Sequence, residues 1–597
     1  MDGRAAGKRE QQVDAVTLQL VKGALRSAQL EMETLLSRTA MSPFIREKKD
    51  FFCALFDEAA RLVVGTAIPI FGDLVGPVLA HYPAAEMRPG DLYWYNDCYG
   101  SKGAVSHSPD QVFIAPVFAE GLLSGFAQSW AHFNDIGGLR PGSLSPDATD
   151  IFQEGIIVPP IRLARDGVID TEVMRVFTRN SRFPAMVTGD IRAATAAVRL
   201  GERRMGELFQ RFGRATVLAA FAAAIDETRR IVRDWLRRTI PPGRYDFTER
   251  IDRDGHGNGP FAIRMRLEVD ERGATLDARE TDDQAPGPIN FIMSPEVPRL
   301  AFGIYALARE RSVLLNQGAL DAVDAVRVRP GSLLQPNFPA PLGQRGITLI
   351  RVGTACLGLV NVATQGAAVA AHNVYVIAYL RGRTVEGEAF LLTDGIAVGY
   401  GGRSDADGID AVYLIANENY PAEFLDLSYP VRLRRYAINP DSGGPGRWRG
   451  GCGVIRELEV LAAEAMLSIR IDSVDNPPWG VAGGRSGRGG CCILNPGRET
   501  ERHLPPLGDG ILLHRGDVLR IETGGGGGWG HPFDREPERV LADIRGGFVT
   551  AERARADYGV ALGADGCSID AAETARLRHQ RGDAKLFHRG AYFEALP

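Results

Sequence analysis

QVFIAPVFAEGLLSGFAQSWAHF, residues 111–133, carries two apolar runs rich in Val, Ile, Phe and Trp on either side of AEG. Such residues fit a pleated backbone, and a short turn holding Gly121 between them predicts a β-hairpin. Chemistry gathers at the open end of that hairpin. GAVSHSPD runs into it and SWAHFNDIGG runs out, and each contains His-x-x-Asp: His107 with Asp110, and His132 with Asp135. Imidazole nitrogen and carboxylate oxygen form a donor set suited to Zn²⁺, Mn²⁺ or Fe²⁺. Strand ends are where sites are commonly built.

Upstream, DAVTLQLVKGALRSAQLEMETLLSRTAMS spaces Leu18, Val21, Leu25, Ala28, Met32 and Leu35 by alternating threes and fours, predicting a helix with Asp14 as its N-cap. DFFCALFDEAARLVVG reads as two short strands joined by a turn. Downstream, residues 188–238 predict two or three amphipathic helices, whose arginines read as a solvated face. Strands follow in DFTERIDRDG and FAIRMRLEVDERGATLDARE, then helices in SPEVPRLAFGIYALARE and after Arg351. From about residue 382 the chain is Gly-rich and strand-rich, including EFLDLSYPVRLRRYAI, CGVIRELEVLA and LLHRGDVLRIETGGGGGWG. Residues 538–560 predict two short helices. This succession implies a multidomain α+β fold: an α/β domain at 1–240 holding the candidate site, an α+β region at 241–382, and a Gly-rich β domain with a helical tail at 383–597.

The chain has 597 residues, too many for one hydrophobic core. A net charge of -5 argues against a nucleic-acid partner, which calls for a basic excess or stripe. Seven irregularly spaced cysteines without CxxC imply reduced thiols and a cytoplasmic location. The charged N-terminus lacks the apolar core of a signal peptide. Residues 352–380 are without charge, but Asn361, Gln365, His372, Asn373 and several glycines interrupt them, so a buried helix or strand is expected there, not a membrane span.

In order along the chain, REKKDFFCALFDE, YNDCYGSKGAVSHSPD, WAHFNDIGG, PGSLSPDATDIFQEGI, IRAATAAVRLGERR, NPDSGGPGRWRGGCGVIRE and GGGGGWGHPFDREPERVLADIRGGFVTAERARADYGV resemble the hydantoinase B/oxoprolinase family. The resemblance covers nearly the whole chain. It is far more specific for family than for reaction, because the family includes B-type components of ATP-dependent N-methylhydantoinases, the matching half of 5-oxoprolinases, and components of acetone and acetophenone carboxylases. It implies a hetero-oligomer in which a separate A-type partner uses ATP and Mg²⁺ to phosphorylate the substrate's carbonyl oxygen. The B-type chain then acts on that species at a bound divalent metal. In keeping with this, the chain has no G-x-x-x-x-G-K-[ST] loop.

The resemblance implies ligation by His107, His132 and Asp50, with a turn or cap as the alternative for Asp50. Of Asp110 and Asp135, one is expected to bind metal and the other to orient an imidazole or take a proton; Asp135 is assigned to the metal and Asp110 to catalysis, an assignment sequence leaves open. Asn96 and Asp97 are expected to hold their loop by Asx hydrogen bonds. Glu154 reads as a general base or substrate contact, or else as a backbone cap. Arg345 and Arg351 match family arginines and suit a phosphorylated intermediate, with a structural salt bridge as the alternative. The glycine run 524–528 could cradle an anion or permit chain crossings, and Trp529 is expected in the core. His531 and two phenylalanines depart from the family pattern. Phe71 and Phe133 imply more apolar surroundings for the site, which would suit an aromatic substrate such as an aryl ketone.

Two reactions are consistent with these residues. The first is metal-dependent hydrolysis of a cyclic amide, such as a hydantoin, lactam or 5-oxoproline, after phosphorylation by the partner. The second is ATP-dependent carboxylation of a ketone through its phosphoenol. A non-catalytic scaffold is the third reading, and retention of both His-x-x-Asp pairs counts against it.

Overall fold

The computed structural model describes residues 13–66, 72–308, 310, 313–414 and 417–590; Phe71 lies outside them. The fold is α+β and multidomain. Its described residues form two compact units, one drawn from Met1–Ile136, Ile156–Arg238 and Ser294–Asp324, the other from Gly137–Gly155, Thr239–Met293 and Ala325–Pro597.

An antiparallel seven-stranded sheet organises the first unit. Its strand order is Leu62–Gly65, Phe51–Asp57, Leu122–His132, Asp110–Ala119, Leu92–Tyr95, Ile161–Arg165 and Val168–Ile169. The hairpin turns at Glu120 and Gly121, whose φ angles of 53° and 74° are those of a two-residue turn matched to strand twist. Phe51–Asp57 is buried along its whole length, so its period of two separates two covered faces instead of core from solvent. Helices Ala15–Thr39 and Pro184–Phe212 pack on this sheet and on each other.

Asp14 caps the first helix by accepting the N–H groups of Val16 and Thr17. Its buried seam runs Val21, Leu25, Ala28, Met32 and Leu36, with the expected Leu18 and Leu35 partly buried against the same core. A straight helix turns every 3.6 residues, and a strict alternation of threes and fours slips after a few turns.

In the second unit, antiparallel sheets of four and five strands contribute to one apolar core. The four-stranded sheet has the order Ala389–Ile396, Val376–Arg383, Glu464–Arg470 and Leu507–His514. A further sheet, formed by Gly243–Ile251, Phe261–Val269, Ala274–Asp277 and Ala325–Arg327, packs against helix Gly346–Ala363. That helix is long and apolar enough to cross a bilayer, yet most of it is buried inside the protein. EFLDLSYPVRLRRYAI is only half strand. Ala422–Ser428 forms a helix that buries Leu425, and the strand Val431–Ile438 begins after Pro430.

The glycine run is a crossing of chains. The N–H groups of Gly525, Gly526, Gly527 and Gly528 donate to the carbonyls of Arg488, Gly451, Ala371 and Arg485 at 3.2, 2.9, 2.9 and 2.9 Å. A Cβ on these glycines would collide with backbone of Ser442, Tyr400, Trp479 and Pro445. With those donors engaged, these glycines serve close packing and do not cradle an anion. Trp529, expected in the core, is half-buried, and its indole donates to the Gly366 carbonyl at 2.8 Å.

Candidate metal centre

Strand register assembles the site. Asp110 opens one hairpin strand, His132 closes the other, and the two are direct cross-strand partners. Cross-strand partners hold their Cβ atoms about 5 Å apart, so one side chain reaches the next. His107 joins them through a turn in which the Asp110 N–H donates to the His107 carbonyl at 3.2 Å. All three are buried, with 3–5% of their surface exposed.

The donor atoms form a tight triangle. His107 Nε2 lies 3.0 Å from Asp110 Oδ1 and 3.1 Å from His132 Nδ1, which is 3.2 Å from the same oxygen. Hydrogen bonds alone cannot satisfy all three edges, because a neutral ring nitrogen carries either a proton or a lone pair. Two inward protons oppose each other, and a single one leaves a lone pair facing the carboxylate. One cation among the three atoms answers every edge. The spacing also matches neighbouring donors on a first-row ion with bonds of about 2.0–2.2 Å. Among the described residues this is the group of His, Cys, Asp or Glu side chains that could hold a metal ion.

Other side chains hold the triangle in place. The Ser108 carbonyl accepts from Asn96 Nδ2 at 2.8 Å and from Gln111 Nε2 at 2.9 Å. Trp94 Nε1 donates to Gln111 Oε1 at 2.9 Å, and the Val158 N–H donates to Asn96 Oδ1 at 2.6 Å. Asn96 thus organises its loop by its side-chain amide. The Phe44 ring lies 4.8 Å from the His132 imidazole. The short helix carrying Phe44 is anchored by Asp190, whose Oδ1 accepts the N–H groups of Met41 and Ser42 at 2.7 and 2.9 Å. Phe44, Gln111 and Asp190 carry no motif signal; they are recognisable only once the sheet and helices are paired.

The remaining site candidates stand outside the triangle. Asp50 stands just ahead of the strand Phe51–Asp57, where its carbonyl accepts the His132 N–H at 3.1 Å. Asp135 is fully buried and accepts from the Arg182 N–H at 2.9 Å and from Arg182 Nη1 at 3.0 Å. Phe133 fills the core of the first unit and stacks on Phe113 at 6.4 Å, so the apolar surroundings expected of it belong to packing.

Three candidates belong to the second unit. Glu154 is fully buried and accepts the N–H groups of Leu342 at 3.0 Å and Gly343 at 2.6 Å; burial pushes its carboxyl up to about 8. Arg345 is buried at the N-cap of helix Gly346–Ala363. Arg351, further along that helix, is buried with its Nε and Nη2 on Asp472 at 2.8 and 2.7 Å and Nη1 3.5 Å from Glu249.

A model of the family described as hydantoinase B/oxoprolinase matches residues 14–532. A chain of Pseudomonas sp. (strain NS671), provisionally named as the B component of a D-/L-hydantoinase, is 32% identical over 95% of this chain and 98% of its own. The beta chain of the caprolactamase of Pseudomonas jessenii is 30% identical over 94% of this chain and 98% of its own. In the crystal structure of the ATP-dependent caprolactamase from that organism, the matching chain aligns with a TM-score of 0.83 at 28% identity, covering 95% of this chain and all of that one. Acetone carboxylase in its nucleotide-free structure shares the fold at 19% identity, with a TM-score of 0.82 over 95% of this chain and 83% of its own. The chain therefore belongs to the hydantoinase B/oxoprolinase family.

Proposed function

We propose that this chain is the metal-dependent, B-type component of an ATP-dependent two-component amidohydrolase, opening a cyclic amide that an A-type partner has phosphorylated. The triangle of His107, Asp110 and His132 carries this reading, because its three edges call for a cation. Names of relatives at 30–32% identity support hydrolysis over carboxylation, since the likeness to acetone carboxylase is one of fold.

His107, His132 and Asp110 would hold the ion, with Asp50 as a fourth donor assigned from the resemblance and its place beside His132. A divalent ion there supplies a Lewis acid, which acidifies water and polarises a carbonyl. Asp110 touches both imidazoles through Oδ1, which makes it our assignment for the carboxylate ligand in place of Asp135. Asp135 holds Arg182. Glu154, protonated near neutral pH, braces the Leu342–Gly343 backbone instead of removing a proton. Phosphate contact by Arg345 rests on the family resemblance, and the Arg351 guanidinium is engaged by Asp472.

Elemental analysis of the complex reconstituted with its A-type partner tests the centre: about one divalent ion per chain, lost in His107→Ala, is the expected result. The same complex should open hydantoins or lactams only with ATP. Fixation of labelled bicarbonate into a ketone would overturn the hydrolase assignment, and metal content unchanged in His107→Ala would overturn the centre.

A further inference from the structure

Arg351, Arg449, Arg456 and Arg535 are buried in the second unit, and each meets a carboxylate at 2.6–2.8 Å. Arg470 does not. It closes the strand Glu464–Arg470, is 2% exposed, and pairs with no carboxylate among the described residues. Its Nη1 donates to Gln344 Oε1 at 3.0 Å, and its guanidinium carbon sits 4.7 Å from the centre of the Tyr375 ring. Nε and Nη2 are buried without a hydrogen-bond partner among the described residues. Strand pairing puts Ser468 and Tyr379 on the same sheet face, and the acid there, Asp509, is engaged by Arg381 at 2.8 Å and Arg140 at 3.0 Å.

A second feature makes the spot more electropositive. Gly346, the first residue of an 18-residue helix, lies so close that a Cβ on it would be 3.5 Å from Arg470 Nη1. Among the described residues no side chain caps that helix N-terminus. Helix N-termini favour anions and disfavour cations, so the guanidinium and the helix end add to each other's cost. An uncompensated buried charge is among the most expensive features a fold can hold.

The idle atoms also have a shape. Nε and Nη2 form one side of the planar guanidinium, the side with which Arg351 grips Asp472 and Arg535 grips Asp543. Two parallel N–H groups in that arrangement match the two oxygens of a carboxylate or phosphate. We propose that the Nε–Nη2 edge of Arg470 is an oxyanion-binding site, taking a phosphate or carboxylate group from outside the chain. Gln344 and Tyr375 hold the guanidinium plane, and exclusion of water strengthens the paired charge-assisted bonds. The site stands on residues apart from the His107 triangle, so it holds whether or not that triangle binds metal.

Titration of the full-length chain with inorganic phosphate and, separately, acetate at constant ionic strength tests it. Calorimetry and the thermal midpoint should show saturable binding of one of the two. Saturation by phosphate assigns a phosphoryl ligand, and saturation by acetate alone assigns a carboxylate. Arg470→Gln keeps a polar side chain but loses the charge and the fork, and should weaken that binding about 10- to 100-fold. Wild-type hydrogen exchange answers even if the variant fails to fold: the saturating anion should slow exchange around residues 344–348 and 468–470. Absence of saturable binding by either anion, an Arg470→Gln response equal to wild type, or no slowing at those residues overturns the proposal.

Discussion

Glu154 holds two backbone amides inside the second unit, and its carboxyl is lifted to about 8 because burial disfavours the charged form more than those amides favour it. The fold therefore prefers the protonated acid. That preference contributes fully below the ordinary glutamate pKa, and is lost as pH rises from there through about 8. Glutamine is neutral throughout, so Glu154→Gln should flatten the decline in stability between about pH 5 and pH 9, read from urea midpoints. A decline as steep as wild type would show that the carboxyl does not titrate in the fold. The triangle itself turns on another carboxylate. Asp110→Asn keeps the shape but removes the negative charge, and should lower metal affinity about 10- to 100-fold in a chelator competition. Both aspartates of the His-x-x-Asp pairs look equivalent in sequence, and their environments separate them. His107 and Asp110 enclose a turn, which brings the two side chains together, whereas His132 ends a strand and Asp135 lies beyond it, against Arg182. Spacing alone does not report which backbone shape lies between two residues.

The hairpin shows what local pattern can and cannot reveal. Its two strands and turn are legible from apolar runs around AEG, but the register at the site is not, because a bulge between Val117 and Phe118 shifts the pairing by one residue and sets Asp110 opposite His132 instead of Ala131. Glu120 adopts φ of 53°, a conformation costly for glutamate and easier for asparagine. Glu120→Asn should thus stabilise the protein by about 0.5–1 kcal/mol, measured by chemical unfolding. The short helix Pro43–Arg46 left no periodic trace, because four residues are fewer than two turns. It depends on Asp190, contributed by the distant helix Pro184–Phe212. Asp190→Ala strands the buried Ser42 N–H and should cost about 1–3 kcal/mol. Retained stability would mean that water replaces the carboxylate.

Across the whole molecule, the α+β class was legible from the sequence of helical and strand patterns, but the two compact units were not, since each is assembled from separated segments. Composition describes neighbours in sequence, and the units consist of neighbours in space. The glycine run was legible as a place of tight backbone and ambiguous in purpose until its amides could be followed to carbonyls. Gly526→Ala sets a Cβ against the Tyr400 backbone and should leave little folded protein, seen as aggregation on gel filtration and a lost thermal transition. Nearly every single-base change at the first or second position of a glycine codon installs a side chain. Along 525–528 each such change meets backbone that cannot give way, so a gene released from selection would lose this protein there sooner than at the histidines of the triangle.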